Sequence, residues 1–163
     1  MLKKPMEKAL NKQMNDEFRS SYLYLSMAAF FEGQNLKGFA HWMHAQAAEE
    51  TAHGMKFFGF ILDRGGKPVL EAIEAPPSAW KSPLDAFQAV YAHEQKVTTG
   101  IHKLVDLAAK EGDHPAHTFL QWFVTEQVEE EASADGVVQK LKMIGNMVQG
   151  VFMVDRELAQ RAG

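Results

Sequence analysis

The sequence predicts an all-α four-helix bundle, and three observations carry that prediction. Glycine and proline cut the 163 residues into four long segments, in each of which apolar residues recur at steps of three and four. No segment alternates apolar and polar residues as a half-buried strand does. The joins after the first and third segments are short and the middle one is long, which makes two antiparallel pairs.

The first helix is expected over about residues 6–32, stopping at Gly33, and the second over about 38–64, stopping at Gly65 and Gly66. The stretch "KPVLEAIEAPPSAWKSP" follows, in which Pro68, Pro76, Pro77 and Pro83 forbid a continuous helix. Extended, its roughly 17 residues span ~56 Å, whereas a helix of about 27 residues is only ~40 Å long. The link can therefore cross the whole bundle and lay the third helix parallel to the second, giving an up-down-down-up order. Ser82 and Pro83 open the third helix as N-cap and first residue, and it runs to Gly112. Asp113 and Pro115 start the fourth, which ends near Gly145. The last segment, "VFMVDRELAQR", makes a short fifth helix of about three turns. One domain over residues 1–163 is the simplest organisation for a chain of this length.

Composition narrows the function. With 46% hydrophobic and 23% charged residues the chain can bury a core as an ordinary soluble protein. Its net charge of −4 gives no reason to expect nucleic acid as a partner. The absence of cysteine excludes disulfides, thiolate metal sites and cysteine nucleophiles. No secretory signal is visible, and no run approaches the roughly 20 apolar residues of a membrane span. A cytoplasmic location is expected.

The informative feature is a fault shared by all four stripes. The first reads Met6, Leu10, Gln13, Glu17, Ser20, Tyr24, Met27, Phe31. The second reads Phe39, Met43, Gln46, Glu50, His53, Phe57, Phe60, and the third Leu84, Phe87, Tyr91, Glu94, Thr98, Ile101, Val105. The fourth reads Leu120, Phe123, Gln127, Glu130, Ala134, Val137, Leu141. Each is apolar towards its ends and carries a carboxylate near its middle. In a bundle of matched helices Glu17, Glu50, Glu94 and Glu130 meet at one height, with His53 and Gln127 one turn away on the same faces.

Four buried carboxylates repel one another, and each isolated ion costs several kcal/mol. Either some are protonated or cations lie between them. Two divalent cations would balance the four charges. Carboxylates with one imidazole suit iron or manganese, and a Glu-x-x-His pair facing carboxylates from other helices is a known way to build a di-metal site.

At these residues the chain resembles the non-haem prokaryotic ferritins, over nearly its whole length. The matching pieces are "NDEFRSSYLYLSMAAFFE", "LKGFAHWMHAQAAEETAHGMKFF", "RGGKPVLEAIEAPPSAW" and "FLQWFVTEQVEEEAS". The resemblance implies a ferritin-like bundle with a ferroxidase centre that oxidises two ferrous ions with O2 or H2O2. It also implies a homo-oligomeric shell, usually of 24 subunits, that stores the ferric product. Carried over by position, Glu17 and His53 hold the first iron, Glu50 bridges, and Glu94 and Glu130 hold the second with Gln127 beside it. Glu49, Glu126 and Glu129 match a third, weaker iron site that shares Glu130. Tyr24, one heptad from Glu17, is placed to hydrogen-bond a ligand carboxylate or to donate an electron; a core tyrosine with a satisfied hydroxyl fits the position equally. Bacterioferritins usually carry a second Glu-x-x-His on the fourth helix, where this chain has Glu130. Ala52 stands where their haem methionine would be sought, so no haem is expected.

Two rivals share the residues: a bundle that buffers zinc or manganese without turnover, and a di-iron oxidase acting on an organic substrate. The second wants an apolar pocket, and the bulky Phe57, Tyr91 and Phe123 argue against one. His41, His44, His93 and His102 fall off the stripes and are expected at solvent or interfaces. His114 and His117 stand where the resemblance implies a pore. In "SSYLYLSMAAFF", Tyr22, Leu23, Leu25 and Phe30 make the first helix apolar almost all round, which predicts self-assembly.

Overall fold

The computed structural model describes residues 1–162, and they form five helices with no strand. They are α1 (Lys4–Gly33), α2 (Lys37–Asp63), α3 (Pro83–Glu111), α4 (His114–Ile144) and α5 (Val148–Leu158). The caps are those the sequence announces. Ser82 accepts the Asp85 amide at 3.1 Å, and Asp113 accepts that of Ala116 at 3.0 Å. Gly112 closes α3 at φ 65°, a left-handed position that suits glycine. The fifth helix starts earlier than expected, at Val148, and also ends earlier, at Leu158.

The crossover lies along α1 in a register set by side chains. Glu7 Oε1 accepts the Lys67 amide at 2.7 Å, Asn11 Oδ1 that of Val69 at 2.7 Å, and Asn15 Oδ1 that of Glu71 at 2.9 Å. The two asparagines also donate, from Asn11 to the Lys67 carbonyl and from Asn15 to that of Val69. Four helical residues rise ~6 Å and two extended residues ~6.6 Å, so every fourth residue of α1 meets every second residue of the link. Further along, Ser26 donates to the Pro77 carbonyl at 2.6 Å. The link thus travels in the direction of α1, antiparallel to α2, and α3 runs parallel to α2 as the loop lengths required.

Two apolar clusters fill the bundle, one on each side of a polar layer. Tyr24, Phe31, Phe39, Met43, Phe87 and Val137 belong to one, and Met14, Phe57, Ile61, Ile101, Leu120 and Phe123 to the other. The stripes of α1 and α4 are buried along their whole length. Two corrections concern the others. In α3, Leu84, Tyr91, Thr98 and Val105 are only half-buried, and the buried track runs through Phe87, Val90, Glu94, Val97, Ile101 and Leu104. In α2, Ile61 takes the buried place expected for Phe60.

The last helix closes one end. No side chain of α2's own N-cap residue, Leu36, satisfies its first amides. Asp155 of α5 does so, its Oδ1 accepting Gly38 N at 2.8 Å and Phe39 N at 3.0 Å.

Candidate metal centre

The polar layer contains Glu17, Glu50, Glu94 and Glu130, one from each long helix, all buried with His53 and Gln127. Glutamines hold several of them in place. Gln13 Nε2 donates to Glu17 Oε1 at 2.8 Å, and Gln46 Nε2 donates to Glu50 Oε1 at 3.0 Å and to Glu130 Oε2 at 2.8 Å. Gln127 Nε2 donates to Glu94 Oε2 at 3.2 Å, and the Tyr24 hydroxyl donates to Glu94 Oε1.

His53 stands between two groups of carboxylates. Its Nδ1 lies 3.8 Å from Glu50 Oε2, and its Nε2 lies 3.7 Å from Glu126 Oε1. One ligand atom each from Glu17, Glu50 and His53 fall within 4.8 Å of one another, and so do those of His53, Glu126 and Glu130. Glu94 joins neither triad and faces Tyr24 and Gln127 instead. Phe57 stacks on Phe123 at 4.3 Å, and Trp122 and Phe123 meet the His53 ring edge-on, closing this side with aromatic bulk.

Burial and mutual repulsion decide the protons. Burial, reinforced by the Glu50 charge, raises Glu17 well above the carboxylate range. The same two causes push Glu94 up to about 8 and Glu130 to about 7. Glu50 moves the other way. Burial pushes it up, but the hydrogen bonds and charge of His53, with help from Glu17 and Gln46, outweigh that and lower it. Burial pushes His53 down, and the Glu50 carboxylate beside it more than restores it, leaving it raised. Tyr24 is raised strongly, by burial and then by Glu94, so its hydroxyl keeps its proton. Burial and the Glu50 charge therefore favour the protonated forms of Glu17, Glu94 and Glu130.

One atom is left over. Glu17 Oε2 is buried and no donor group reaches it. A buried carboxylate oxygen without a partner is disfavoured, and it points to a ligand. The donor set around it, carboxylate oxygens with one imidazole, fits a divalent first-row metal such as iron.

The remaining predicted residues are placed differently. Glu126 is half-buried beside His53, and Glu129 is exposed. Glu49 is ion-paired with Arg161 at 2.6 Å, near enough to Glu130 that its charge contributes to raising that carboxyl. His93, expected at solvent or an interface, is half-buried, with Nε2 2.8 Å from Ser20 Oγ and its ring edge-on to Tyr24. His41 lies 2.8 Å from the Arg161 carbonyl. Sequence reasoning placed Gln13 and Gln46 on the stripes without giving them work. Their signal is a repeated spacing, "QMNDE" and "QAAEE", with an amide four residues before the buried carboxylates Glu17 and Glu50.

The comparisons agree on one family. The ferritin-like domain model matches residues 7–144. A bacterial non-heme ferritin of Bacteroides fragilis strain 638R is 42% identical over 161 residues, covering 99% of this chain and 100% of the relative. One from Staphylococcus saprophyticus is 41% identical over 162 residues, covering 99% and 97%. Among solved structures, an open pore ferritin from Archaeoglobus fulgidus is 50% identical, covers 99% of this chain and 100% of that one, and superposes with a TM-score of 0.98. A humanized archaeal ferritin is 48% identical over 100% of both chains, with a TM-score of 0.99.

Proposed function

The chain belongs to the ferritin family, and on that premise we propose that it stores iron and oxidises it at the carboxylate layer. Glu17 and His53 take the first ferrous ion, Glu50 bridges, and Glu94 and Glu130 take the second, with Gln127 beside it. The observation that carries this reading is the buried Glu17 Oε2, which no donor reaches, inside a layer of four buried carboxylates. Arriving cations displace the protons that burial and repulsion hold on Glu17, Glu94 and Glu130. Tyr24 keeps Glu94 turned towards the layer.

Two ferrous ions supply two electrons at once, so O2 is reduced to H2O2 with uptake of two protons and no one-electron product is released. With H2O2 as oxidant, the two electrons and two protons give two waters. The carboxylates favour the ferric state electrostatically. Glu49, Glu126 and Glu129 are the residues proposed for a third, weaker position sharing Glu130; of these Glu126 lies beside His53 and Glu130, and Glu49 is paired with Arg161. The product passes into a shell of like subunits, for which 24 is the expected number. Exposed Tyr22 and Leu25 on α1, beside Leu70 and Ile73 of the crossover, offer apolar contact surface for such assembly. None of the described helices is long and apolar enough to cross a membrane, and the cytoplasm is the proposed location.

The test is anaerobic ferrous titration of the metal-free assembly, then mixing with air while following ferric absorbance. A fast phase saturating at two or three irons per chain, followed by slower accumulation far beyond it, is expected. That phase disappears in Glu50→Ala and in His53→Ala. Iron that binds but oxidises no faster than free iron would make the centre a buffer and remove the enzymatic reading.

A further inference from the structure

Beyond α5 the chain runs beside α2. Asp155 holds the first amides of α2, and six residues later Arg161 lies against the middle of the same helix. Its guanidinium sits over the Trp42 ring, 4.4 Å from the centroid. Nη1 donates to the Trp42 carbonyl at 3.4 Å, and Nη2 donates to Gln46 Oε1 at 2.8 Å and to Glu49 Oε2 at 2.6 Å. Residues 42, 46 and 49 follow the four-three step of one helix face, which a planar fork of donors can span.

Two consequences reach the carboxylate layer. A side-chain amide has one acceptor oxygen and one donor nitrogen end. With Gln46 Oε1 held by Arg161, Nε2 is turned inward, where it joins Glu50 to Glu130. Glu49, meanwhile, is held by a fixed positive charge. A third divalent cation beside Glu130 needs charge beyond that of the four central carboxylates; Glu126 of α4 has a ligand atom within 4.8 Å of Glu130, and the Glu49 charge on α2 reaches Glu130. The guanidinium neutralises one of them and repels the incoming cation.

We propose that Arg161 is a positioning residue that restricts the centre to two tightly held cations, by keeping Glu49 out of the third position and by fixing the Gln46 amide between Glu50 and Glu130. This inference rests on the two-metal reading above.

The experiment is anaerobic calorimetric titration of the metal-free assembly with Zn(II), a redox-inert probe. The wild-type protein takes two tight zinc ions per subunit and a third at least tenfold more weakly. In Arg161→Gln and Arg161→Ala, the third zinc binds at least tenfold more tightly than in wild type. Adding Glu49→Gln to Arg161→Gln abolishes the gain, and Arg161→Lys, which keeps the charge, stays close to wild type. A role confined to fastening the chain to α2 would lower the melting temperature without moving the third affinity. The proposal is overturned if Arg161→Gln keeps two tight zinc ions and a third affinity within twofold of wild type. If wild type itself binds no zinc at the centre, the metal-centre reading fails, and this inference fails with it.

Discussion

Replacing Glu94 by glutamine in the metal-free protein should stabilise it, increasingly so as the pH rises. Glu94 is buried, and its carboxyl is pushed from 4.5 to about 8 by burial and then by the charge of Glu50. A folded-state pKa above the unfolded one means that the protonated carboxyl favours the fold fully below about 4.5, and that this advantage is lost as pH rises through about 8. At ~1.4 kcal/mol per unit, the penalty grows to roughly 3 kcal/mol near pH 7 and on the order of 5 kcal/mol by pH 9. Glutamine has the shape of the protonated acid, accepts from Tyr24 as Glu94 does, and never ionises; Gln127 pairs with it by turning its amide and giving up its 3.3 Å donation to the Glu94 backbone carbonyl, a pH-independent loss of about 1 kcal/mol. At ~2–4 °C per kcal/mol, the metal-free variant should melt about 10 °C above wild type at pH 9, with the two nearly equal at pH 5. Zn(II) should narrow the gap, because it stabilises the ionised wild-type layer and finds one ligand fewer in the variant. Scanning calorimetry across this range reads both effects. A difference between the two proteins that does not change with pH would refute the reasoning.

Tyr24→Phe removes the donor to Glu94, a bond to a charged group worth roughly 1.5–3 kcal/mol once the carboxylate ionises. Stopped-flow oxidation should slow about tenfold while anaerobic binding at the Glu17 position is kept. Gly38→Ala would set a Cβ only 1.6 Å from the Asp155 carbonyl oxygen, so α5 must move and its two bonds to α2 are lost. Calorimetry should show a loss of roughly 2–4 kcal/mol, a fall of about 5–10 °C. Arg64→Met strands Asp113, which caps α4 and takes both guanidinium nitrogens, at 2.8 and 3.2 Å. Arg64, the main cause, holds Asp113 below the usual range. The penalty, on the order of 2 kcal/mol, should therefore be full above the unfolded carboxyl pKa and shrink as pH falls through the lower folded value, which acid-side melting curves would show.

The helices and the carboxylate layer were legible because both are written in local spacing. Glycine, proline and capping residues mark the ends, and each buried carboxylate of the layer interrupts an apolar stripe at a fixed step. The stripe of α3 was misread because it has two tracks of similar character. Phe87, Tyr91, Glu94, Thr98, Ile101, Val105 and Phe87, Val90, Glu94, Val97, Ile101, Leu104 both obey the three-four step, and only contact with α4 and α1 selects between them. The ladder of Glu7, Asn11 and Asn15 looks in sequence like a solvated helix face, and it becomes structural once the crossover lies on it. Arg161 meets Glu49 across 112 residues, a pairing that no local pattern encodes. His93 gave no signal either, since its partner Ser20 lies on another helix.

Anomalous diffraction from crystals soaked anaerobically in Fe(II) tests the central claim most directly, because it locates iron without relying on turnover. The account predicts two peaks inside each subunit, one within ligand distance of Glu17, Glu50 and His53, the other within reach of Glu50, Glu94 and Glu130. Both should be lost in Glu50→Ala. Iron found only at exposed acidic residues, with the carboxylate layer empty at saturating metal, would contradict it.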